Sequence, residues 1–196
     1  MAAAVDGVLL AAGSSHRAGV FKMEAELAGK PLLLWGLEAM AGVCRRVIVV
    51  AGDQAGRVER LLAGRRGVEL VVNERFASGM LSSVQAGARA VRAPRFFLLP
   101  GDMPLVRTGV FRRLLESSGD IAVPACAGRR GHPVLLSSRL IAALLAEPAD
   151  SSLERFIRGR GSETVETGDP GILSDLDDGG DMKKMDALLR AGGRHE

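Results

Sequence analysis

At 196 residues the chain suits one α/β domain covering 1–196, with enough length to bury a full core. Apolar residues make up 47%, charged residues 25% and aromatics 4%, which is ordinary for a soluble globular protein. The net charge is +3, but only four of the 26 basic residues are lysine, and no basic run exceeds two. A nucleic-acid surface is therefore not expected, whereas binding of small polyanions fits.

The two cysteines, Cys44 and Cys126, lack C-x-x-C spacing, so neither a disulfide framework nor a zinc site is expected. Met1 to Asp6 carries no basic n-region, and no apolar run approaches the ~20 residues of a membrane span. The default expectation is a cytoplasmic protein with no membrane partner.

In chain order, Val5 to Ala12 is apolar apart from Asp6 and Gly7 and reads as a strand buried on both faces. Pro31 to Ala41 reads as a helix with proline in its first turn, and Arg46 to Ala51 as a β-branched strand. Gln54 to Ala63 is a predicted helix with Val58, Leu61 and Leu62 on one face. Val68 to Val72 is strand, Ser82 to Val91 helix, and Arg95 to Leu99 a strand stopped by Pro100-Gly101. Arg107 to Glu116 follows as helix.

Ile121 to Ala125 and Pro133 to Leu136 are short strands joined by the turn-like A-G-R-R-G. Arg139 to Ala146 and Ser152 to Arg158 are predicted helices, the second capped by Ser151. Glu163 to Thr167 reads as an edge strand, Ile172 to Leu176 as a last strand, and Asp181 to Arg190 as a last helix. Four strand–helix alternations in the first half predict a mostly parallel central sheet covered on both faces. The short strands near 121–136 predict a mixed edge.

Ligands in open parallel sheets bind beyond the carboxyl ends of the strands, and three such ends carry useful chemistry. The first is L-L-A-A-G-S-S-H-R-A-G-V-F-K, residues 9–22. It matches neither G-x-G-x-x-G nor G-x-x-x-x-G-K-[ST], yet its glycines and the cations Arg17 and Lys22 suit an anion. The alternative is an ordinary glycine-rich turn.

The second is P-G-D-M-P, where Asp102 can hold Mg²⁺ beside a phosphate, or simply belong to a turn. The third is S-D-L-D-D-G-G-D-M. Asp175 and Asp177 alternate along the predicted last strand and so share a face, while Asp178 or Asp181 suits a helix cap. Ser78 to Ser83 leads into a helix whose N–H groups can face a ligand. His132, one of three histidines, follows a basic turn, and no serine or cysteine nucleophile motif accompanies any of them.

In this order L-A-A-G-S-S-H-R-A-G-V-F-K, G-K-P-L-L, G-M-L-S-S-V-Q-A-G, G-D-M-P, G-H-P-V-L-L and D-L-D resemble the MobA-like nucleotidyltransferase family, on its molybdenum cofactor cytidylyltransferase side, over roughly residues 5 to 190. The resemblance implies a Rossmann-like three-layer fold of the nucleotide-diphospho-sugar transferase type. It also implies transfer of a nucleoside monophosphate, CMP from CTP, to a phosphorylated acceptor, molybdopterin cofactor, with release of pyrophosphate.

The same resemblance implies that Leu10, Ala11, Ala12, Gly13, Ser14 and Ser15 cradle the triphosphate. Arg17 would contact the leaving phosphates and Lys22 the α-phosphate. Gly79, Ser82 and Ser83 would lie near base and ribose, and His132 on the acceptor side. Asp102 with Asp177, or Asp175, would hold Mg²⁺, and a molybdenum hydroxylase would be a partner.

Three departures stand out: Ala18 for methionine, Met23-Glu24-Ala25-Glu26 for an apolar leucine-proline stretch, and Gly179-Gly180 for proline-glutamate. The acidic stretch keeps a sugar, polyol or choline phosphate open as acceptor. A non-catalytic cofactor-delivery protein is the further alternative.

Overall fold

A computed structural model of the chain describes residues 5–12, 21–176 and 179–191. The first half holds β1 (Val5–Ala11), a small hairpin of β2 (Glu26–Leu27) and β3 (Lys30–Pro31), α1 (Leu32–Ala41), β4 (Arg46–Ala51), α2 (Ala55–Leu62), β5 (Val68–Val72), α3 (Met80–Ala90) and β6 (Arg95–Pro100). The second half holds α4 (Thr108–Leu115), β7 (Ile121–Cys126), β8 (Arg129–Arg130), β9 (Val134–Ser137), α5 (Ile141–Leu145), α6 (Leu153–Arg160), β10 (Glu163–Glu166) and α7 (Gly179–Ala191).

The main sheet runs β10-β7-β9-β6-β1-β4-β5, with β8 paired to β7. β6, β1, β4 and β5 are mutually parallel. β9 is antiparallel to both β6 and β7, and β10 returns parallel to β7. A parallel centre with a mixed edge is thus the observed architecture.

Alternation along the central strands explains the layers. Leu9, Val49, Phe97 and Leu99 face a core shared with α1, α2 and α4, where Phe97 meets Phe111 edge-on at 5.0 Å. Val8, Leu10, Ile48, Val50 and Leu98 face the opposite core, closed by α3, α5 and α6. Both faces are covered, which is why these strands read as continuous apolar runs. A third, smaller cluster joins Leu27, Leu32 and Trp35 to Leu176 and Met185, pinning α7 onto the hairpin.

Asp6 is the charged exception inside β1, fully buried. It accepts hydrogen bonds from Arg45 Nε (3.0 Å), Arg46 Nη2 (2.9 Å) and the backbone N–H groups of Arg92 (2.8 Å) and Ala93 (3.1 Å). Four donors satisfy the carboxylate and tie together the segments leading into β1, β4 and β6.

The segment Ile172–Leu176 is not a strand. Pro170–Leu173 forms a 3-10 turn, capped by the Asp169 side chain accepting from Gly171 N at 2.8 Å. Its backbone packs on loops instead of joining the sheet. A Cβ on Gly171 would stand 2.3 Å from Leu105 O, and one on Gly131 2.1 Å from Ile172 O. The alternation argument for Asp175 and Asp177 therefore fails, because buried loop packing produces the same apolar pattern as a strand.

Smaller corrections have local causes. α3 begins at Met80, two residues earlier than expected, because Gly79 takes φ +94 and serves as its N-cap. α6 is capped by Ser152, not Ser151, with Ser152 Oγ accepting from Arg155 N at 3.1 Å. α7 spans Gly179–Ala191, longer than the predicted Asp181 to Arg190.

Candidate active site

The carboxyl ends of the central strands lie level. Leu10 pairs with Pro100 and Ala11 with Ala51, and Gly101 N donates to Leu10 O at 2.8 Å. The end of β1 and the loop after β6 therefore lie side by side at this edge of the sheet. Leu10 and Ala11 are buried in the strand, and Ala12 is half-buried at its end. Gly13, Ser14, Ser15 and Arg17 fall outside the described residues, as does Asp177.

Lys22 opens a short 3-10 turn, Lys22–Glu24. Its Nζ lies 2.9 Å from Asp102 Oδ2, with both side chains about four-fifths buried at 20% and 25% exposure. The turn seats Met23 in the core and aims Lys22 across the strand ends. Glu24 points elsewhere: Arg57 of α2 donates to its carboxylate from Nε at 2.9 Å and again from Nη2, and holds its pKa below the usual range.

Asp102 is joined by the chain that crosses behind it. Leu176 N donates to Asp102 O at 2.9 Å, bringing exposed Asp175 to the same rim. His132 N donates to Ile172 O at 3.0 Å, and the His132-Pro133 peptide is cis. The His132 imidazole is pushed below its ordinary pKa by burial, against the pull of the Asp102 and Asp175 carboxylates. Its Nδ1 is buried and lacks a hydrogen-bond partner. Lys22, Asp102, Asp175 and His132, from four separate segments, thus occupy one end of the sheet.

Gly79, Ser82 and Ser83 lie at the neighbouring strand end. Both serines are buried, and their hydroxyl oxygens accept from Asn73 Nδ2, each at 2.9 Å. Ser82 Oγ also lies 2.9 Å from Arg75 O and 2.8 Å from Gly79 O, to which it can donate. The serine side chains therefore shape the turn between β5 and α3. Sequence reasoning missed Asn73, which also accepts from Arg75 N at 3.0 Å. An asparagine directly after a strand, bonding two residues on, is the signal that marks such a turn.

A cavity of about 610 Å³ opens beside His132, between the start of α3 and α6. Neither Glu24 nor Glu26 lines it. Among the described residues no group of three or more His, Cys, Asp or Glu side chains is placed to hold a metal ion by itself. Two carboxylates at a rim suit a cation that keeps water and substrate phosphates as its other ligands.

A lysine, an aspartate and a second acidic segment gathered at the strand ends of an α/β sheet supply the charges that a nucleotide-handling transferase needs. A family model for the MobA-like NTP transferase domain matches residues 7–165, and the chain belongs to that family. The molybdenum cofactor cytidylyltransferase of Escherichia coli (strain K12) is 28% identical over 175 residues, covering 89% of this chain and 91% of that protein. The crystal structure of the Rv0371c homolog from Mycobacterium sp. strain JC1 superposes with TM-score 0.80 at 27% identity, covering 95% and 97% of the two chains. That of Rv0371c from Mycobacterium tuberculosis H37Rv gives 0.82 at 25%, covering 97% and 100%. Among the described residues no helix is long and apolar enough to cross a membrane.

Proposed function

We propose that this protein transfers CMP from CTP to the phosphate of molybdopterin cofactor and releases pyrophosphate, in the cytoplasm, with a molybdenum hydroxylase as eventual recipient of the product. The single observation that carries the reading is the convergence of Lys22, Asp102 and Asp175 at the strand ends, in a chain 28% identical to a molybdenum cofactor cytidylyltransferase over nine-tenths of both lengths.

The acceptor phosphate is already an anionic nucleophile, so no general base is needed. Its oxygen forms a bond to the α-phosphorus of CTP. The bond from that phosphorus to the bridging oxygen breaks, and the electron pair departs with pyrophosphate. The protein must hold two mutually repelling anions in line and stabilise the charge gathered on the α-phosphate.

Lys22 supplies a fixed cation from a turn anchored by Met23. Arg17 and the amides of Gly13, Ser14 and Ser15 are assigned to the triphosphate, and Leu10, Ala11 and Ala12 present that loop. Gly79, Ser82 and Ser83, ordered by Asn73, are assigned to base and ribose. His132, neutral near pH 7, is assigned to the acceptor.

Mg²⁺ fits this donor set. Asp102 and Asp175 (or Asp177) offer hard carboxylate oxygens, and such an ion is commonly held by one or two carboxylates together with substrate phosphates. When bound it neutralises phosphate charge and orients both substrates. With Glu24 engaged by Arg57, the motive for a different acceptor drawn from that acidic stretch weakens.

The test is pyrophosphate release from CTP, GTP and ATP with molybdopterin and Mg²⁺, alongside thermal stabilisation by each nucleotide. CTP well above its Kd should stabilise the fold by about 2–4 kcal/mol. Intact CTP after incubation with authentic acceptor and metal would sink the reading.

A further inference from the structure

The cavity beside His132 joins three stretches that are far apart in sequence. Its apolar walls come from Leu81 of α3, Val123 of β7, Val134 of β9, and Leu153 and Ile157 of α6. Its rim carries two guanidinium groups, Arg130 and Arg158, and one carboxylate, Glu154. His132 lines the chamber and also feels the charges of Asp102 and Asp175, so the chamber opens directly beside the reacting end of the site.

We infer that this chamber receives the acceptor beyond its reacting phosphate, and that Arg158 and Arg130 select an acceptor carrying a second anionic group on a flat ring body whose faces pack on the aliphatic walls. The inference rests on the nucleotidyl-transfer reading and narrows its acceptor. At about 610 Å³ the space falls in the range that encloses a bicyclic ligand, and a small polyol phosphate would leave its aliphatic walls wet. No phenylalanine or tryptophan lines the chamber, so the aromatic cage that recognises a quaternary ammonium is missing among the described residues. Two arginines against one glutamate also disfavour a cationic head such as choline.

The rim is built for exchange. Arg158 Nη1 reaches Glu154 Oε1 at only 3.4 Å, one turn away on α6, with both side chains well exposed. Arg130 donates to Ser162 Oγ, which leaves further guanidinium donors. An anion entering the chamber draws Arg158 away from Glu154 and gains a charge-assisted contact. Glu154 opposes that anion, so the two residues must act with opposite sign.

The experiment measures acceptor KM and CTP KM by pyrophosphate release, with molybdopterin, ribose 5-phosphate and choline phosphate as acceptors. Direct binding of molybdopterin is measured by calorimetry without nucleotide. Arg158→Gln should raise the acceptor KM and the molybdopterin Kd roughly five- to tenfold, Arg130→Gln should act in the same direction, and Glu154→Gln should lower both about twofold. CTP KM should stay unchanged in all three. A structural role for α6 cannot produce opposite signs from two residues one turn apart.

If wild-type protein turns over but the three variants leave acceptor KM within twofold, the chamber assignment falls and the transfer reading stands. If no acceptor is turned over, the transfer reading falls. The calorimetric arm then decides the chamber: loss of affinity in Arg158→Gln supports it, and no molybdopterin binding by wild type overturns it.

Discussion

Lys22 Nζ sits 2.9 Å from Asp102 Oδ2 and joins segments 80 positions apart. The pair brings a cation and a metal-suited carboxylate to one spot before any nucleotide arrives. Desolvation of two side chains that are mostly buried offsets much of the attraction between them, so the net contribution of the pair to stability is small, on the order of 1 kcal/mol. A cation aimed at charge that develops during transfer contributes far more to rate. Lys22→Ala should therefore lower kcat about a hundredfold while shifting Tm by no more than about 2–4 °C. Pyrophosphate release and a thermal melt on the same sample check it. A melt that collapses in step with activity would assign Lys22 to folding.

The fold was legible where burial was two-sided. β4 falls on its expected range as an apolar run buried on both faces, and β5, the half-buried edge strand, does so because turns bound its β-branched run. Lys22 and Asp102 were legible as separate suspects, since each follows a strong strand. Ile172–Leu176 was misread because Ile172 enters the main core and Leu176 the cluster under α7 from a 3-10 turn and loop, which leaves the same apolar pattern as a strand. The two-residue strands of the β2–β3 hairpin are too short to leave a pattern. The chamber was invisible for a different reason: Leu81, Val123 and Ile157 are ordinary core residues in sequence, and only the packing of α6 beside β7 and β9 makes them walls.

Asp6 makes stability depend on pH in a defined window. Burial would raise its pKa, but hydrogen bonds from Arg46, Arg92 N, Arg45 and Ala93 N overcome that and hold it at about 2, below the ordinary 3.8. A depressed folded-state value means the stabilisation is complete above the unfolded pKa and is lost as pH falls through the folded one. The shift corresponds to about 2 kcal/mol, present at pH 7 and lost between about pH 4 and 2. Asp6→Asn should cost about 3 kcal/mol at neutral pH, because Arg46 loses its buried partner. Urea unfolding at pH 7 and pH 3 should show the gap between wild type and variant narrowing at the lower pH. A constant gap would remove the electrostatic account.

Gly171 holds the acidic rim against the Asp102 loop. A Cβ there would meet Leu105 O at 2.3 Å, which the two backbones can relieve only by separating. Gly171→Ala should destabilise by about 1–3 kcal/mol and pull Leu176 N away from Asp102 O. The concentration of Mg²⁺ needed for half-maximal pyrophosphate release should rise, while Gly109→Ala, where a Cβ has open space, should leave it unchanged. Equal metal requirements in both variants would disconnect this segment from the metal site.

Ala28 offers a change in the favourable direction. It occupies the turn of the β2–β3 hairpin at φ +49, followed by Gly29 at φ +79, and its N–H donates to Asp186 Oδ1 of α7 at 2.7 Å. Two successive residues in the left-handed region are what a tight hairpin turn requires, and an alanine there bears a cost of about 1–2 kcal/mol that glycine avoids. Glycine gives back part of that through a more flexible unfolded chain. Ala28→Gly should thus raise stability by about 0.5–1 kcal/mol, keep the N–H that Asp186 accepts, and leave turnover unaltered. Asp186→Ala should lower Tm in both backgrounds, because α7 loses its polar link to the hairpin while Met185 and Leu176 still pack on Trp35. A lower Tm for Ala28→Gly would show that the Ala28 methyl, which packs against that small cluster, outweighs the relief of its backbone.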